Sequence, residues 1–291
     1  MTVRVYANGQ ITDEGSAVIS IFDRGFLYGD SVYEVLRTAG GHPVDFDRHL
    51  DRLARSAAAI ALALPGEDAI RRAVADTLAA AGNPEAYIRI VVTRGAGRIA
   101  LDLDAAGTPS LIVISQPLKM PRPELYTDGA HIAIVAVERT SRRAVDPAVK
   151  SGNYLNSIMA LAEAQRLGAY EALMLGPDGR VAEGSTSNVF AVRSGTLTTP
   201  ALMTGILAGI TRQRVIELAH GEGLAAAEGD LYPDDLRGAD EVFITSSIRG
   251  VMPVARVDDR AISGGAPGPI TRRLMDVYDR FIAEVAAGRS T

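Results

Sequence analysis

The 291-residue chain contains no cysteine and no tryptophan, and only 5% of its residues are aromatic. Without cysteine it has no disulfides, no thiolate metal ligands and no cysteine nucleophile, and it is consistent with a reducing compartment. Its histidines show none of the spacings typical of metal ligands, so we expect no bound metal. The four are His42, His49, His131 and His220.

Long apolar runs and clusters of one charge are also missing. No run is long enough to span a bilayer, and the first residues lack the apolar core of a signal peptide. The net charge of −5 comes from interspersed acidic and basic residues, without the basic stripe that nucleic acid binding requires. We therefore expect a cytoplasmic protein whose partners include neither a membrane nor a nucleic acid.

The chain is long enough for one large domain or two medium ones, and its 47% hydrophobic content supplies a full core. Strand-like and helix-like segments alternate, but hairpins are frequent, which predicts mixed sheets in an α/β (mixed α+β) fold. Three prolines between Gln116 and Asp128 mark a stiff linker. We place an N-terminal domain at 1–118, an interdomain loop at 119–129 and a C-terminal domain at 130–291.

Local patterns predict individual elements. The N-terminal half is expected to contain a strand at Ala17–Ile21, a glycine-punctuated loop at Asp23–Asp30, and helices from Asp47 and over Glu67–Ala81. A helix is also expected after Lys150, capped by Asn153 or Ser151. Its inner stripe is expected to be Leu155, Ile158, Met159, Leu161 and Ala162.

Five features suit one ligand, a phosphorylated pyridine aldehyde. Lys150 stands where a nucleophilic amine can reach an electrophilic cofactor, and Glu183 ends a strand where it can pair with a protonated pyridine nitrogen. Gly209–Arg212 lies near the start of a helix expected from Gly205, where N–H groups suit a phosphate, and Ser246–Ser247 adds hydroxyls. Arg52 supplies a permanent cation. Taken alone, each of these five features is more often a surface charge, a helix cap or a turn residue.

Four motifs, KSGNYLNS, EGSTSNVF, GILAGITR and DEVFITSS, stand in an order and at spacings that closely resemble the class IV pyridoxal-phosphate aminotransferases. The similarity runs from the Asn8-Gly9 turn through RGFLYGDSVYEVLR and DRHLDRL to VMPV, and covers nearly the whole chain. It implies the type IV pyridoxal 5′-phosphate (PLP) fold. That fold has two α/β domains joined by an interdomain loop, a cofactor site near the domain cleft, and a homodimeric assembly.

The resemblance also implies residue roles. Lys150 matches the Schiff-base lysine, Glu183 the partner of the pyridine nitrogen, and Tyr154 a residue near the ring oxygen. The positions implied at the phosphate are Arg52, Ile210, Thr211 and Ser247. The implied reaction is a ping-pong transfer of an amino group between an amino acid and a 2-oxo acid such as 2-oxoglutarate.

The substrate side is assigned to six residues: Tyr28, Tyr33, Arg37, Tyr87, Arg89 and Arg98. The segments AYIRIVVTRG and GRIALDLD look like the branched-chain subgroup, although Val35 replaces an expected glycine and Tyr33 an expected phenylalanine. DRGFLYGDSVYEV resembles the D-amino-acid enzymes. Those enzymes hold the substrate carboxylate with an Arg-x-His motif, which is incomplete here. Arg98 is near the arginine position, but Ala100 and Leu101 offer no histidine.

We therefore rank a branched-chain L-amino acid aminotransferase first, a D-amino-acid aminotransferase second, and an aminodeoxychorismate lyase-like enzyme third. A hypothesis of a different class is a PLP-binding protein without catalytic activity. The stereochemical preference and the amino donor stay open at this point.

Overall fold

The computed structural model describes residues 2–289, which form two compact units. The first unit comprises the chain up to Lys119, Val149–Asn153 and the residues from Ile282 on. The second comprises Met120–Ala148 and Tyr154–Phe281. Lys150 thus belongs to the first unit, although the chain before and after its short segment belongs to the second. The domain limits at 118 and 130 stay predictions.

The first unit is an antiparallel six-stranded sheet with two long helices packed on one face. Its strand order is β2-β1-β6-β5-β3-β4. Its elements are β1 (Arg4–Ala7), β2 (Gln10–Thr12), α1 (Arg24–Tyr28), β3 (Ser31–Ala39), β4 (His42–Pro43), α2 (Phe46–Ala59), α3 (Glu67–Ala81), β5 (Ala86–Thr93) and β6 (Ser110–Pro117).

Side-chain alternation gives the central strands two different faces. Val32 and Leu36 of β3, and Ile88 and Ile90 of β5, are buried against the apolar stripes of α2 and α3. The neighbouring residues in sequence point to the opposite face and are mostly half-buried. That second face is available for function, because the core is built on the first.

Two expectations for the N-terminal half are wrong. Residues 17–20 have no regular structure within the described chain, and Ala17–Ile21 is exposed at most positions rather than paired in the sheet. The expected loop at Asp23–Asp30 contains α1, because the Asp23 carboxylate accepts a hydrogen bond from Gly25 N at 2.8 Å and Gly29 ends the helix at φ 68°. Gly29 marks the end of a helix here.

The second unit is a nine-stranded sheet in the order β12-β11-β10-β13-β14-β7-β8-β9, with β15 beside β14. The β11–β12, β14–β7 and β7–β8 pairs are parallel and the others antiparallel, which confirms the mixed α/β class. Its strands are β7 (Ala130–Ile134), β8 (Glu171–Leu175), β9 (Val181–Gly184), β10 (Asn188–Arg193), β11 (Thr196–Pro200), β12 (Ala226–Gly229), β13 (Glu241–Ser246), β14 (Gly250–Val257) and β15 (Arg260–Ala261).

Five helices complete the described chain: α4 (Glu124–Thr127), α5 (Leu155–Arg166), α6 (Ile210–Gly221), α7 (Pro233–Arg237) and α8 (Pro269–Ala286). Short 3-10 turns occur at Glu14–Ser16, Leu103–Ala105, Leu202–Thr204 and Ser263–Gly265. Within residues 2–289, no helix combines the length and apolar character that a membrane crossing requires.

The inner stripe expected for α5 is wrong. Leu155, Ile158 and Met159 are 69%, 57% and 50% exposed. The buried side of α5 carries Ser157, Ala160 and Ala164 instead, because small side chains let the helix lie close to the sheet. The expected caps are also wrong, since Tyr154 is the N-cap residue and no side chain caps the helix.

Candidate active site

Lys150 is held along the first half of β3. Its carbonyl oxygen accepts from Tyr33 N at 3.0 Å, and Gly152 N donates to Ser31 O at 2.9 Å, so the segment forms a short antiparallel bridge with the strand. From α2, the Ser56 hydroxyl oxygen accepts from Lys150 N at 3.1 Å. A strand and a helix of the same unit thus fix the backbone that carries the amine.

The amine of Lys150 lies over an aromatic ring on the second face of the sheet. Lys150 Nζ is 4.6 Å from the centroid of the Tyr33 ring, and Arg89 Cζ is 4.2 Å from the same centroid. Both distances fit cation–π contacts. Tyr33 therefore brings a primary amine and a guanidinium to one place.

The register of β3 and β5 places four of the six residues assigned to the substrate on one face of the sheet. In the β3–β5 pair, Arg37 lies opposite Tyr87, and Val35 opposite Arg89. Since side chains alternate between faces, Tyr33, Val35 and Arg37 share the second face with Tyr87 and Arg89. This face, which also carries the Lys150 amine, combines two tyrosines, two arginines and one valine.

Tyr28 and Arg98 are not part of that face. Tyr28 is the last residue of α1, and its ring centroid is 5.2 Å from Arg24 Cζ. Arg98 is exposed in the loop after β5, and its backbone N–H donates to Ala105 O at 3.0 Å. Of the six residues assigned to the substrate, Tyr33, Arg37, Tyr87 and Arg89 therefore lie together on one strand face, and Tyr28 and Arg98 lie elsewhere.

Arg52 lies on the core side of the first unit. Its Nε and Nη2 donate to the two oxygens of Glu34 at 2.8 and 2.7 Å, and His49 Nδ1 is 2.7 Å from Glu34 Oε2. Burial acts to raise the pKa of Glu34, but Arg52 and His49 outweigh it and hold that pKa well below its usual range. Burial lowers the pKa of His49. Arg52, expected at a phosphate, has a carboxylate partner that the sequence did not predict.

Replacing Glu34 with glutamine is expected to lower the free energy of unfolding by about 3 kcal/mol or more, because Arg52 loses its buried carboxylate partner. The pKa of folded Glu34 lies below its ordinary value of 4.5, so its contribution is present above that value and is lost as the pH falls through the folded pKa. Urea unfolding at pH 7 measures the first effect. The second is measured as a smaller difference between wild type and Glu34→Gln at pH 3 than at pH 7.

Glu67→Gln is the matched control, since Glu67 pairs with Arg71 on an exposed face. It is expected to cost less than about 1 kcal/mol. Equal losses in the two variants would show that burial of the Glu34–Arg52 pair has no energetic consequence.

In the second unit, Glu183 is buried in β9 and held by three N–H donors. Arg139 Nε donates to Oε1 at 2.9 Å, while Asn188 Nδ2 and Leu207 N donate to Oε2 at 3.2 and 3.1 Å. Donors at both oxygens leave the carboxylate little freedom to rotate. The sequence predicted the carboxylate but none of these three donors.

The same network reaches the start of α5. Arg139 Nη1 and Thr140 N lie 3.4 Å from Asn156 Oδ1, and Asn156 Nδ2 donates to Glu138 O at 2.8 Å. Tyr154, the N-cap of α5, stands two residues before Asn156. Arg139 therefore links the strand of Glu183 to the helix end that carries Tyr154.

The start of α6 presents backbone N–H groups without a side-chain cap. The helix begins at Ile210, so the N–H groups of Ile210 and Thr211 have no partner within it, and they suit an anion. A Cβ on Gly209 would lie 1.9 Å from Asn188 Oδ1, so a larger residue there would displace the Asn188 side chain. Asn188 also donates to Leu207 O at 3.1 Å, and so connects Glu183 to this helix start.

Ser247 follows β13, the strand that pairs with β10 at Asn188. In the β10–β13 pair Asn188 lies opposite Thr245, so their side chains share a face, and Ser246 and Ser247 come immediately after. The hydroxyl oxygen of Thr245 is buried and has no hydrogen-bond partner within residues 2–289. Since buried hydroxyls normally have a partner, a ligand oxygen fits this position. Hydroxyls and helix N–H groups together fit a phosphate.

These features define a class of enzyme. A lysine amine beside an aromatic ring, a buried carboxylate held by three donors, and an uncapped helix start are the parts that a PLP-dependent enzyme needs. The family Amino-transferase class IV matches residues 31–257, more than three-quarters of the chain. The chain belongs to this family, and it is a PLP-dependent aminotransferase.

Relatives and solved structures agree with this assignment. The chain is 40% identical over 277 residues, covering 95% of each sequence, to a putative branched-chain-amino-acid aminotransferase of Methanocaldococcus jannaschii. It is 32% identical to D-alanine aminotransferase of Bacillus licheniformis, over 98% of this chain and 99% of that one. Its fold is similar to the branched-chain aminotransferase of Thermoproteus uzoniensis in complex with norvaline, with a TM-score of 0.90, 32% identity, and coverage of 98% and 96%.

The comparisons confirm four expectations: the class IV family, the type IV fold, aminotransferase activity and PLP as the cofactor. The individual residue roles stay predictions. Sequence reasoning missed Asn188, Arg139 and Glu34. The motif EGSTSNVF contained a signal for Asn188, and Glu34 is a charged residue in the apolar alternation of β3, between Val32 and Leu36.

Proposed function

We propose that the enzyme transfers the amino group of branched-chain L-amino acids to a 2-oxo acid such as 2-oxoglutarate by a ping-pong mechanism. One observation carries this proposal: the β3–β5 face, where Tyr33, Arg37, Tyr87 and Arg89 stand beside the Lys150 amine. The name of the Methanocaldococcus jannaschii relative supports the branched-chain class of donor.

PLP, when bound, withdraws electrons from the α carbon of the amino acid. Lys150 would hold the cofactor through Nζ and, as a free amine, would carry the α proton of the substrate. Glu183 would face the pyridine nitrogen, and its three donors would keep the carboxylate oriented. Tyr154 would lie near the ring oxygen. The phosphate would be bound by Arg52, Ile210, Thr211 and Ser247.

The second face of the β3–β5 pair suits a dicarboxylic acceptor. Arg37 and Arg89 lie on the same face and are both half-buried, so they add positive charge where little water can screen it. Guanidinium groups bind carboxylates with two parallel hydrogen bonds, which fits the side-chain carboxylate of 2-oxoglutarate. The rings of Tyr33 and Tyr87, on the same face, would contact the aliphatic side chain of the donor.

Val35 favours a second candidate, a D-amino-acid aminotransferase with small substrates. It lies opposite Arg89, on the face of the substrate residues, where the branched-chain pattern has glycine. A valine side chain there reduces the space for a large aliphatic group. The D-alanine aminotransferase of Bacillus licheniformis is a relative over nearly the full length.

A panel of half-reactions distinguishes these functions. Under the first proposal, L-leucine, L-isoleucine and L-valine convert the cofactor from its pyridoxal to its pyridoxamine form faster than D-alanine does, as read from the absorbance spectrum. Val35→Gly is expected to raise kcat/KM for L-leucine by about tenfold and to leave the rate with alanine nearly unchanged, because one small pocket group is removed.

Each alternative gives a different result in the same panel. Faster conversion by D-alanine supports the D-amino-acid enzyme. Release of pyruvate from a chorismate-derived amine, without an amino acceptor, supports the lyase. No conversion with any amino acid supports a PLP-binding protein without activity, and contradicts the proposed function.

We also propose a homodimer. Segments 18–26 and 99–103 of the first unit expose several large apolar side chains, namely Val18, Ile21, Phe22, Phe26, Ile99, Leu101 and Leu103. Arg24 joins the two segments, since its Nη1 donates to Ala100 O at 2.6 Å. A second copy of the chain is the expected cover for an apolar surface of this kind. Sedimentation equilibrium measures the mass; a monomer at all concentrations contradicts the dimer. The cytoplasmic location stays a prediction.

A further inference from the structure

A second buried carboxylate, Glu171, stands at the start of β8 outside the assigned site. Its Oε1 accepts from Ser185 N at 3.1 Å and from the Ser185 hydroxyl, and its Oε2 accepts from the hydroxyls of Thr186 and Ser187 at 2.9 and 3.2 Å. Glu171 is 1% exposed. It therefore holds the whole turn that follows Glu183.

Arg249 completes the shell of Glu171 from another part of the unit. Its Nη1 donates to Glu171 Oε2 at 2.8 Å, and its Nη2 donates to the Thr186 hydroxyl at 2.7 Å. Its Cζ is 5.3 Å from the centroid of the Tyr170 ring, and its carbonyl accepts from the Tyr126 hydroxyl at 2.9 Å. Both ends of Arg249, backbone and side chain, are anchored.

This ion pair joins two turns that carry functional residues. Ser185–Ser187 come directly after Glu183 and Gly184, and Arg249 lies two residues after Ser247, in the connection between β13 and β14. One carboxylate thus sets the distance between the turn after the Glu183 strand and the turn that contains Ser247. Glu171 largely compensates the charge of Arg249. The pair therefore fixes the positions of the two turns more than it attracts an anion.

We propose that Arg249, held by Glu171, is a positioning residue that orders the Ser246–Ser247 turn for the cofactor phosphate. The proposal rests on the proposed role of Ser247. A hydroxyl that is already fixed binds its ligand without the entropic cost of being ordered at that moment. Releasing Arg249 lets the turn move, and the affinity for PLP decreases although no phosphate-binding group has been removed.

The test is a titration of the apoenzyme with PLP, combined with the ³¹P spectrum of the bound phosphate. Arg249→Met is expected to raise the Kd for PLP about tenfold and to broaden and shift the phosphate signal. Arg249→Lys is expected to recover part of the affinity, because an ammonium group can donate to Glu171 but cannot reach Thr186 with the same fork.

Arg237→Met is the matched control. Arg237 donates from Nε and Nη2 to Asp258 at 3.1 and 2.7 Å in the same unit, and its partners lie in neither turn. It is expected to lower the melting temperature of the apoenzyme without changing the Kd for PLP. If Arg237→Met weakens PLP as much as Arg249→Met does, or if Arg249→Met leaves the Kd and the ³¹P signal unchanged, the positioning role is overturned.

Ser247→Ala separates this proposal from the proposed function. If wild type binds PLP and Ser247→Ala weakens it while Arg249→Met does not, only the positioning role of Arg249 is wrong. If Ser247→Ala leaves the Kd unchanged, the phosphate role of Ser247 is wrong, and the positioning role is overturned with it.

Discussion

Replacing Lys150 with alanine is expected to reduce turnover by roughly 10⁴-fold or more, the largest effect of any single change in this enzyme. The variant loses both the amine that would hold the cofactor and the base that would carry the α proton. PLP should still bind through its phosphate contacts, but dialysis should remove it more easily than from the wild type. Single-turnover absorbance with L-leucine measures the rate, and the spectrum after dialysis measures the retained cofactor.

The chain offers a matched control, because it contains only two lysines, Lys119 and Lys150. Lys119 is exposed at the end of the first stretch of the first unit. Lys119→Ala is expected to leave the rate unchanged. After borohydride treatment, mass spectrometry should find the pyridoxyl group on the peptide with Lys150. An adduct on the Lys119 peptide, or none at all, would refute the assignment.

Glu183→Gln is expected to keep the bound cofactor and to lower kcat by about 10²- to 10³-fold. A neutral amide cannot balance the positive charge of a protonated pyridine nitrogen, so the ring withdraws electrons less well. The replacement also removes hydrogen bonds. Arg139, Asn188 and Leu207 all donate to this side chain, and glutamine offers them only one acceptor oxygen. Steady-state kinetics at saturating substrate measure the loss.

Glu163→Gln is the control for that experiment. Glu163 also accepts backbone N–H groups, from Ala136 and Val137 at 2.8 and 3.3 Å, but it has no assigned part in catalysis. The two glutamine variants should therefore differ in kcat while both fold. An unchanged rate in Glu183→Gln would show that the carboxylate has no role at the pyridine nitrogen.

Local signals predicted those elements whose large apolar residues are buried. The helix Glu67–Ala81 was predicted over its full range, and the helix predicted from Asp47 starts one residue earlier, at Phe46. Large apolar residues did not identify the buried side of α5, where Ala160 and Ala164 are buried and Ile158 is exposed. Periodicity identifies a helix with two different faces, but it does not say which face the sheet covers when small residues allow the closer approach.

Within the site, the chemical groups could be predicted, and most of their partners could not. Lys150 and Glu183 stand in motifs that a sequence displays directly. The pairing of Glu34 with Arg52 depends on a strand and a helix coming together 18 residues apart, and that of Glu171 with Arg249 on residues 78 apart. No local pattern encodes such distances, so a charged residue at a core position is the only hint that the sequence provides.

Because β3 is bridged to the segment that contains Lys150, the first part of the chain is incomplete as a separate fragment. A fragment that stops at Lys119 leaves backbone groups of Ser31 and Tyr33 unsatisfied, since their partners Gly152 and Lys150 are missing. The result is an open strand edge, the kind of surface on which chains aggregate. Any attempt to produce the first half on its own therefore has to supply a peptide containing Val149–Asn153 to close that edge.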